Sequence, residues 1–132
     1  MGAIVLDANV VIGLLDPDNA HHRSTRAALA EARLREDEFV LPASVLSEAM
    51  VGAYRLGTAA DRRRRIVTLF GPVRAVDEAV ALAAAELRAK HRSLRLPDAL
   101  VIATGVVEDA AVLTCDQRLA AVDDRVEVIR PD

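Results

Sequence analysis

Five short apolar runs punctuate this chain, spaced so that helices fit between them, and that alternation constrains the fold more than any other feature. Ala3-Ile4-Val5-Leu6 is apolar throughout, as a strand covered on both faces of a parallel sheet must be. Phe39-Val40-Leu41, Val73-Arg74-Ala75-Val76, Ala111-Val112-Leu113-Thr114 and Val126-Glu127-Val128-Ile129 repeat the signal. Strands separated by helical segments predict an α/β fold, with a mainly parallel central sheet of about five short strands flanked by helices. The 132 residues contain no linker or internal repeat, so one domain is expected.

The helix boundaries follow from capping and breaking residues. Asn9 is expected to cap a helix through Leu15, and Asp16-Pro17-Asp18-Asn19 is a turn. A second helix is expected over about 20–36, with Ala27, Leu29, Ala32 and Leu34 inward. Pro42 is placed in the first turn of a helix that runs to Leu56 and stops at Gly57. The next covers about 59–70 and is broken by Gly71-Pro72. Asp77-Glu78 opens a helix to about His91, Pro97-Asp98 opens one through Val107, and a short helix spans Asp116 to Ala121.

Composition narrows the function. The formal charge of −3 is an average over acidic ends and a basic middle: residues 55–95 hold ten basic and four acidic groups. Phe39, Tyr54 and Phe70 are the whole aromatic complement, too few for recognition by base stacking. The lone Cys115 forms no intrachain disulfide, which suits a reducing cytoplasm. No apolar run is long enough for a membrane span and no basic leader precedes the first strand, so a cytoplasmic chain without membrane contact is expected.

Four of the twenty acids stand apart by context. Asp7 follows the first strand directly, Asp116 lies just past the fourth, Asp98 opens a helix and Glu48 lies among apolar residues on another. In a parallel sheet the strand ends share one edge, and ligands collect there where the strand order reverses. Separately, Asp98 and Asp116 have helix-cap explanations and Glu48 an ion-pair explanation. Together, with no fixed lysine or arginine nearby, the four would repel one another unless protonated or neutralised by a cation. A hard divalent ion, Mg²⁺ or Mn²⁺, suits carboxylate oxygens; His21, His22, His91 and Cys115 lack the ligand spacing of a zinc site. The chemistry that follows is metal-assisted phosphodiester hydrolysis.

Ile4-Val5-Leu6-Asp7-Ala8-Asn9, Ser47-Glu48, Leu96-Pro97-Asp98-Ala99-Leu100-Val101-Ile102-Ala103 and Leu113-Thr114-Cys115-Asp116 resemble the four acidic motifs of PIN-domain ribonucleases. The size and the third motif look like the VapC toxins of bacterial toxin–antitoxin pairs, and the likeness extends over essentially the whole chain. The resemblance implies an Mg²⁺- or Mn²⁺-dependent endoribonuclease, commonly a homodimer, held inactive by a cognate VapB-type antitoxin. It makes Asp7, Glu48, Asp98 and Asp116 the catalytic acidic quartet, with Asp7 and Asp98 the direct metal ligands. Glu48 and Asp116 would ligate, hold coordinated water or support a second ion, and Asn9 and Thr114 take the supporting polar positions. Ala8 departs from the Ser or Thr common beside the first acid, and Leu119 replaces a frequent Phe.

Arg62, Arg63, Arg64 and Arg65 span more than one helical turn and cannot share a face. With Arg88, Lys90, Arg92 and Arg95 they are candidates for contact with RNA phosphates or with an antitoxin. Met50, Val51, Tyr54, Leu56, Ile66, Val67, Leu69 and Phe70 make two helices unusually apolar, so part of that surface is expected to form a dimer seam or an antitoxin groove. Two other readings compete: a non-catalytic RNA-binding or scaffold domain, and an acidic-pocket phosphohydrolase or receiver. The second needs another acid beside Asp7 and a balancing lysine, whereas the chain offers Ala8-Asn9 and only Lys90.

Overall fold

The computed structural model describes residues 2–132. Strand β1 (Ala3–Leu6) lies at the centre of a five-stranded sheet, with Val5 and Leu6 fully enclosed. Helices α1 (Ala8–Leu15) and α2 (His22–Leu34) lead to β2 (Glu38–Pro42), where Val40 sits opposite Val5. Helices α3 (Ala43–Leu56) and α4 (Ala59–Phe70) carry the chain outward to β3 (Val73–Arg74). Helices α5 (Glu78–Lys90) and α6 (Leu96–Glu108) then bring it back across β1 to β4 (Ala111–Thr114), which sets Val112 against Val5. A 3-10 turn at Gln117–Ala121 precedes the edge strand β5 (Val126–Val128).

The strand order is β3-β2-β1-β4-β5 and every pairing is parallel. The chain winds one way from β1 and then the other, so the crevice between the carboxyl ends of β1 and β4 is the topological switch point. The main core packs β1, β2 and β4 against α1, α3 and parts of α2, α4 and α6. A second cluster, which includes Val80, Leu94, Ala99, Ile102 and Leu119, joins α5 and α6 to the 3-10 turn. That cluster fixes the start of α6 relative to the segment after β4, and so relates Asp98 to Asp116.

Several boundaries differ from the sequence reading. The cap of α1 is Asp7, not Asn9, because the Asp7 side chain accepts from the Ala8 N–H. Pro42 ends β2 and precedes α3 instead of entering its first turn. On α2, Leu29 and Ala32 are buried as expected, but Leu34 is 85% exposed and Ala27 also faces out. The inward stripe starts at Thr25 and follows the helical period through Leu29 and Ala32, which leaves 27 and 34 on the far side. The third strand stops at Arg74, whose guanidinium donates to the Ala75 carbonyl and pairs with Asp77 and Glu108. The N-terminus of α2 has no local side-chain cap; Asp132 accepts there from the N–H groups of Arg23 and Ser24 at 3.0 and 2.7 Å.

Gly57 and Gly71 terminate α3 and α4 as expected, and Gly71 does so at φ 83°, which disfavours a side chain. Gly105 is required for a different reason. On α6 it faces β4 so closely that a Cβ would collide with Val112 Cγ2 and press on the Ala110 carbonyl at 3.1 Å. Gly105→Ala is therefore expected to lower stability to urea by about 1–3 kcal/mol. The loss should be smaller in a Val112→Ala background, a coupling that a double-mutant cycle measures.

Candidate functional site

Asp7 is built into the switch point from both strands. Its N–H donates to the Leu113 carbonyl at 3.0 Å, so its backbone is still held by β4. Its Oδ1 accepts the Ala8 N–H at 2.7 Å, and its Oδ2 accepts the Thr114 hydroxyl at 2.7 Å and the Asn9 amide at 3.2 Å. The residue is 5% exposed. Burial pushes its carboxyl above the ordinary value; the Thr114 and Ala8 bonds pull back, while Asp98 and Asp116 push it further up.

Asn9 and Thr114 complete a polar staple between α1 and the end of β4. Asn9 Oδ1 accepts the Cys115 N–H at 3.0 Å, and its Nδ2 donates to Thr114 Oγ1 at 3.3 Å as well as to Asp7. Thr114 Oγ1 accepts the Asp116 N–H at 3.1 Å, so one buried hydroxyl orients two acids. Both side chains thus contact Asp7 directly.

The other three acids approach from separate elements. Asp116 caps the 3-10 turn by accepting the Arg118 N–H at 3.0 Å. The Arg118 guanidinium also grips it with two bonds of 3.1 and 2.8 Å, which holds its carboxyl below the ordinary value. Asp98, in the first turn of α6, lies 3.7 Å from Arg95 and is largely buried at 17% side-chain exposure. Glu48 on α3 is exposed, and burial of part of its carboxyl, then the charges of Asp7 and Asp98, raise its proton affinity. Among the described residues it makes no ion pair, contrary to the structural explanation considered for it.

The expectation that no fixed arginine stands near these acids is therefore corrected. Arg118 and Arg95 both occupy the site because the 3-10 turn and the loop before α6 converge through the second core cluster. Arg118 was not distinguishable in sequence from other surface arginines; its position two residues past Asp116 is the one signal. Of the eight basic residues singled out, Arg95 is the one brought to the acids. Arg88 donates to the Leu94 carbonyl, Lys90 pairs with Glu86, and Arg92 is exposed. Arg62 to Arg65 lie on α4, which packs on α3 and β2, with Arg64 paired to Asp61 at 3.7 Å. Met50, Ile66 and Phe70 go to the core, whereas Val51, Tyr54, Leu56 and Val67 remain exposed.

Among the described residues no group of three or more His, Cys, Asp or Glu side chains is placed to hold a metal ion. The carboxylates nonetheless act on one another, Asp98 and Asp116 on Asp7, and Asp7 and Asp98 on Glu48. Carboxylate oxygens are the donor type that a hard divalent cation takes. Beside it opens a cleft of about 250 Å³ lined by His91, Ser93, Arg95, Asp98, Arg118 and Leu119, among others.

A parallel α/β sheet with acids gathered at its switch point defines a small acidic-site α/β protein. The PIN domain family model matches residues 4–125, and the chain belongs to that family. No curated protein matches it by sequence. It is similar in structure to a toxin–antitoxin complex from Klebsiella pneumoniae, with a TM-score of 0.81 at 22% identity over 98% of this chain and 99% of that one. It is likewise similar to FitAcB from Neisseria gonorrhoeae, with a TM-score of 0.77 at 25% identity over 97% of both chains. A third neighbour is VapBC2 from Rickettsia felis bound to a promoter DNA fragment, with a TM-score of 0.76 at 14% identity over 98% and 99%. No helix among the described residues is long and apolar enough to cross a membrane.

The buried Asp7 gives the metal-free protein a pH signature. A carboxyl raised in the fold contributes stability below its unfolded value of 3.8, and that contribution is lost as pH climbs through the raised value. Asp7→Asn removes the effect. In EDTA the denaturation midpoint of the variant should gain on wild type as pH rises from 4 and then level off; a gap constant with pH would contradict this. Thr114→Val, which leaves Asp7 without its hydroxyl donor and the Asp116 N–H without its acceptor, should cost about 1–3 kcal/mol in the same assay.

Proposed function

We propose that this protein is a Mg²⁺- or Mn²⁺-dependent endoribonuclease, the toxin of a type II toxin–antitoxin pair. The observation that carries the reading is the enclosed Asp7 carboxylate, which has Asp98 and Asp116 pressing on it. Asp7 and Asp98 would hold the ion, with Asp116 and Glu48 available from the other walls. When bound, the ion lowers the pKa of water and offsets the charge that builds on the phosphorus oxygens.

The chain's own residues have separable tasks. Asn9 and Thr114 hold Asp7 in one rotamer, so the donor oxygens are preorganised. Glu48, exposed and with its proton affinity raised, takes the proton of the attacking water at its carboxylate. Arg95 and Arg118 supply positive charge at the mouth of the cleft, where a polyanion enters. The basic middle of the chain extends that attraction, and the near absence of aromatics makes it electrostatic.

The toxin assignment is supported by the VapC-like motifs and by a structural neighbour described as a toxin–antitoxin complex. The partner is a VapB-type antitoxin, and the working form is a cytoplasmic homodimer. Val51, Tyr54, Leu56 and Val67 give these partners an exposed apolar surface on α3 and α4. Lys90, the sole lysine, is engaged with Glu86, so it is not the balancing cation an aspartyl-phosphate mechanism needs.

The test is incubation of the purified protein with total cellular RNA and Mg²⁺ or Mn²⁺, with mapping of new ends. Asp7→Asn and Asp98→Asn should each reduce cleavage at least about a hundredfold, with circular dichroism unchanged. Cleavage that survives either substitution, or that proceeds in EDTA, refutes the assignment. RNA binding without cleavage by the wild type would favour the scaffold reading instead.

A further inference from the structure

Arg118 and Arg95 line the same cleft as Asp98, and both side chains are largely exposed. Arg118 is 82% exposed and clasps both oxygens of Asp116. Arg95 is 74% exposed and lies 3.7 Å from Asp98. Each also acts on the other's acid: Arg95 on Asp116, and Arg118 on Asp98. Two exposed cations therefore share the carboxylates that the reading above gives to a metal ion.

An ion pair this exposed is weak and readily exchanged. A guanidinium fork fits phosphate oxygens as well as it fits a carboxylate. Asp7 is different, because it is enclosed and its oxygens are held by Ala8, Thr114 and Asn9. The site thus separates one buried, hydrogen-bonded acid from two acids paired with exposed arginines. The cleft between those partners adds apolar Leu94, Leu119 and Val122 to polar His91 and Ser93, a lining suited to a sugar-phosphate unit.

We propose that Arg95 and Arg118 are exchangeable counter-ions that occupy Asp98 and Asp116 in the resting site and transfer to RNA phosphates in the cleft once those carboxylates take up a divalent cation. This rests on the metal-dependent nuclease reading and adds to it two positioning residues and a phosphate subsite. The exchange keeps charge matched: one divalent cation replaces the two arginines at the two acids, and two successive phosphodiesters of the RNA give the arginines new anions. Metal and RNA binding are then coupled, each favouring the other.

Arg118→Ala, Arg95→Ala and Arg118→Lys test the exchange, since the Asp116 cap uses the Arg118 backbone and survives all three. Manganese affinity of the RNA-free protein is read from the electron paramagnetic resonance of free Mn²⁺. Arg118→Ala should bind Mn²⁺ about threefold to tenfold more tightly than wild type, because a competing cation is gone. Affinity for a short single-stranded RNA is read by fluorescence anisotropy with Ca²⁺ and with EDTA. With Ca²⁺, each alanine variant should lose about tenfold in affinity and about 0.7 in salt slope. In EDTA the loss should be small, and Arg118→Lys should recover part of it.

Mn²⁺ affinity unchanged or weakened in Arg118→Ala overturns the proposal, as does an RNA affinity that ignores both alanine variants. If wild type binds Mn²⁺ and cuts RNA while the variants match it, the exchange alone fails. If wild type neither binds Mn²⁺ nor cuts RNA, the nuclease reading fails and the exchange with it.

Discussion

Burying one ionisable oxygen pair at the seam of two parallel strands is costly, and much of this molecule is arranged around doing so. Asp7 is almost fully enclosed, yet each of its oxygens is engaged: one by the Ala8 N–H, the other by Thr114 and Asn9. Hydrogen bonds offset desolvation only in part, and neighbouring acids add to the cost. A group destabilised in this way and still retained in a tightly bonded frame is the usual mark of a functional position. The frame also sets geometry elsewhere, since Thr114 fixes the Asp116 backbone and Asn9 fixes that of Cys115.

The rest of the site is arranged in decreasing confinement around that point. Asp98 is largely covered, Asp116 is clasped by an exposed arginine, and Glu48 is exposed and makes no ion pair among the described residues. This gradient gives the carboxylates different degrees of enclosure. Asp7 and Glu48 are raised, the first by enclosure and the second by partial burial and its neighbours, whereas Asp116 is lowered by Arg118. Under the proposed function, such a graded set would suit a hydrolytic metal site better than four equivalent acids would.

The parts of this arrangement readable in sequence are those set by local pattern. Apolar runs locate the strands, and a residue directly after such a run must lie at the sheet edge, which is why Asp7 and Asp116 stood out. The switch point follows from the number and spacing of elements. What could not be read depends on tertiary direction. Nothing in Gln117-Arg118-Leu119 says that the arginine folds back onto Asp116 while Leu119 enters the second core cluster. The Arg62 to Arg65 run is conspicuous, but charge density carries no information about distance from the crevice. Leu34 shows the local version of the problem: an apolar residue near a helix end was read as core, although its angular position put it in solvent.

The polar staple joins residues separated by most of the chain: Asp7 and Thr114 are 107 positions apart, and Asn9 and Cys115 are 106 apart. The site therefore has no local precursor. A chain still emerging from the ribosome can contain Asp7, Glu48 and Asp98 and yet lack β4, the strand that fixes the first of them. Contacts of such long range are made late, because the loop-closure entropy must be met before they contribute. Completion of the acid site thus coincides with completion of the fold, so unfinished or partly unfolded chains lack the assembled centre. For a protein with the proposed nuclease activity, catalytic competence would therefore require β4 to be in place beside β1.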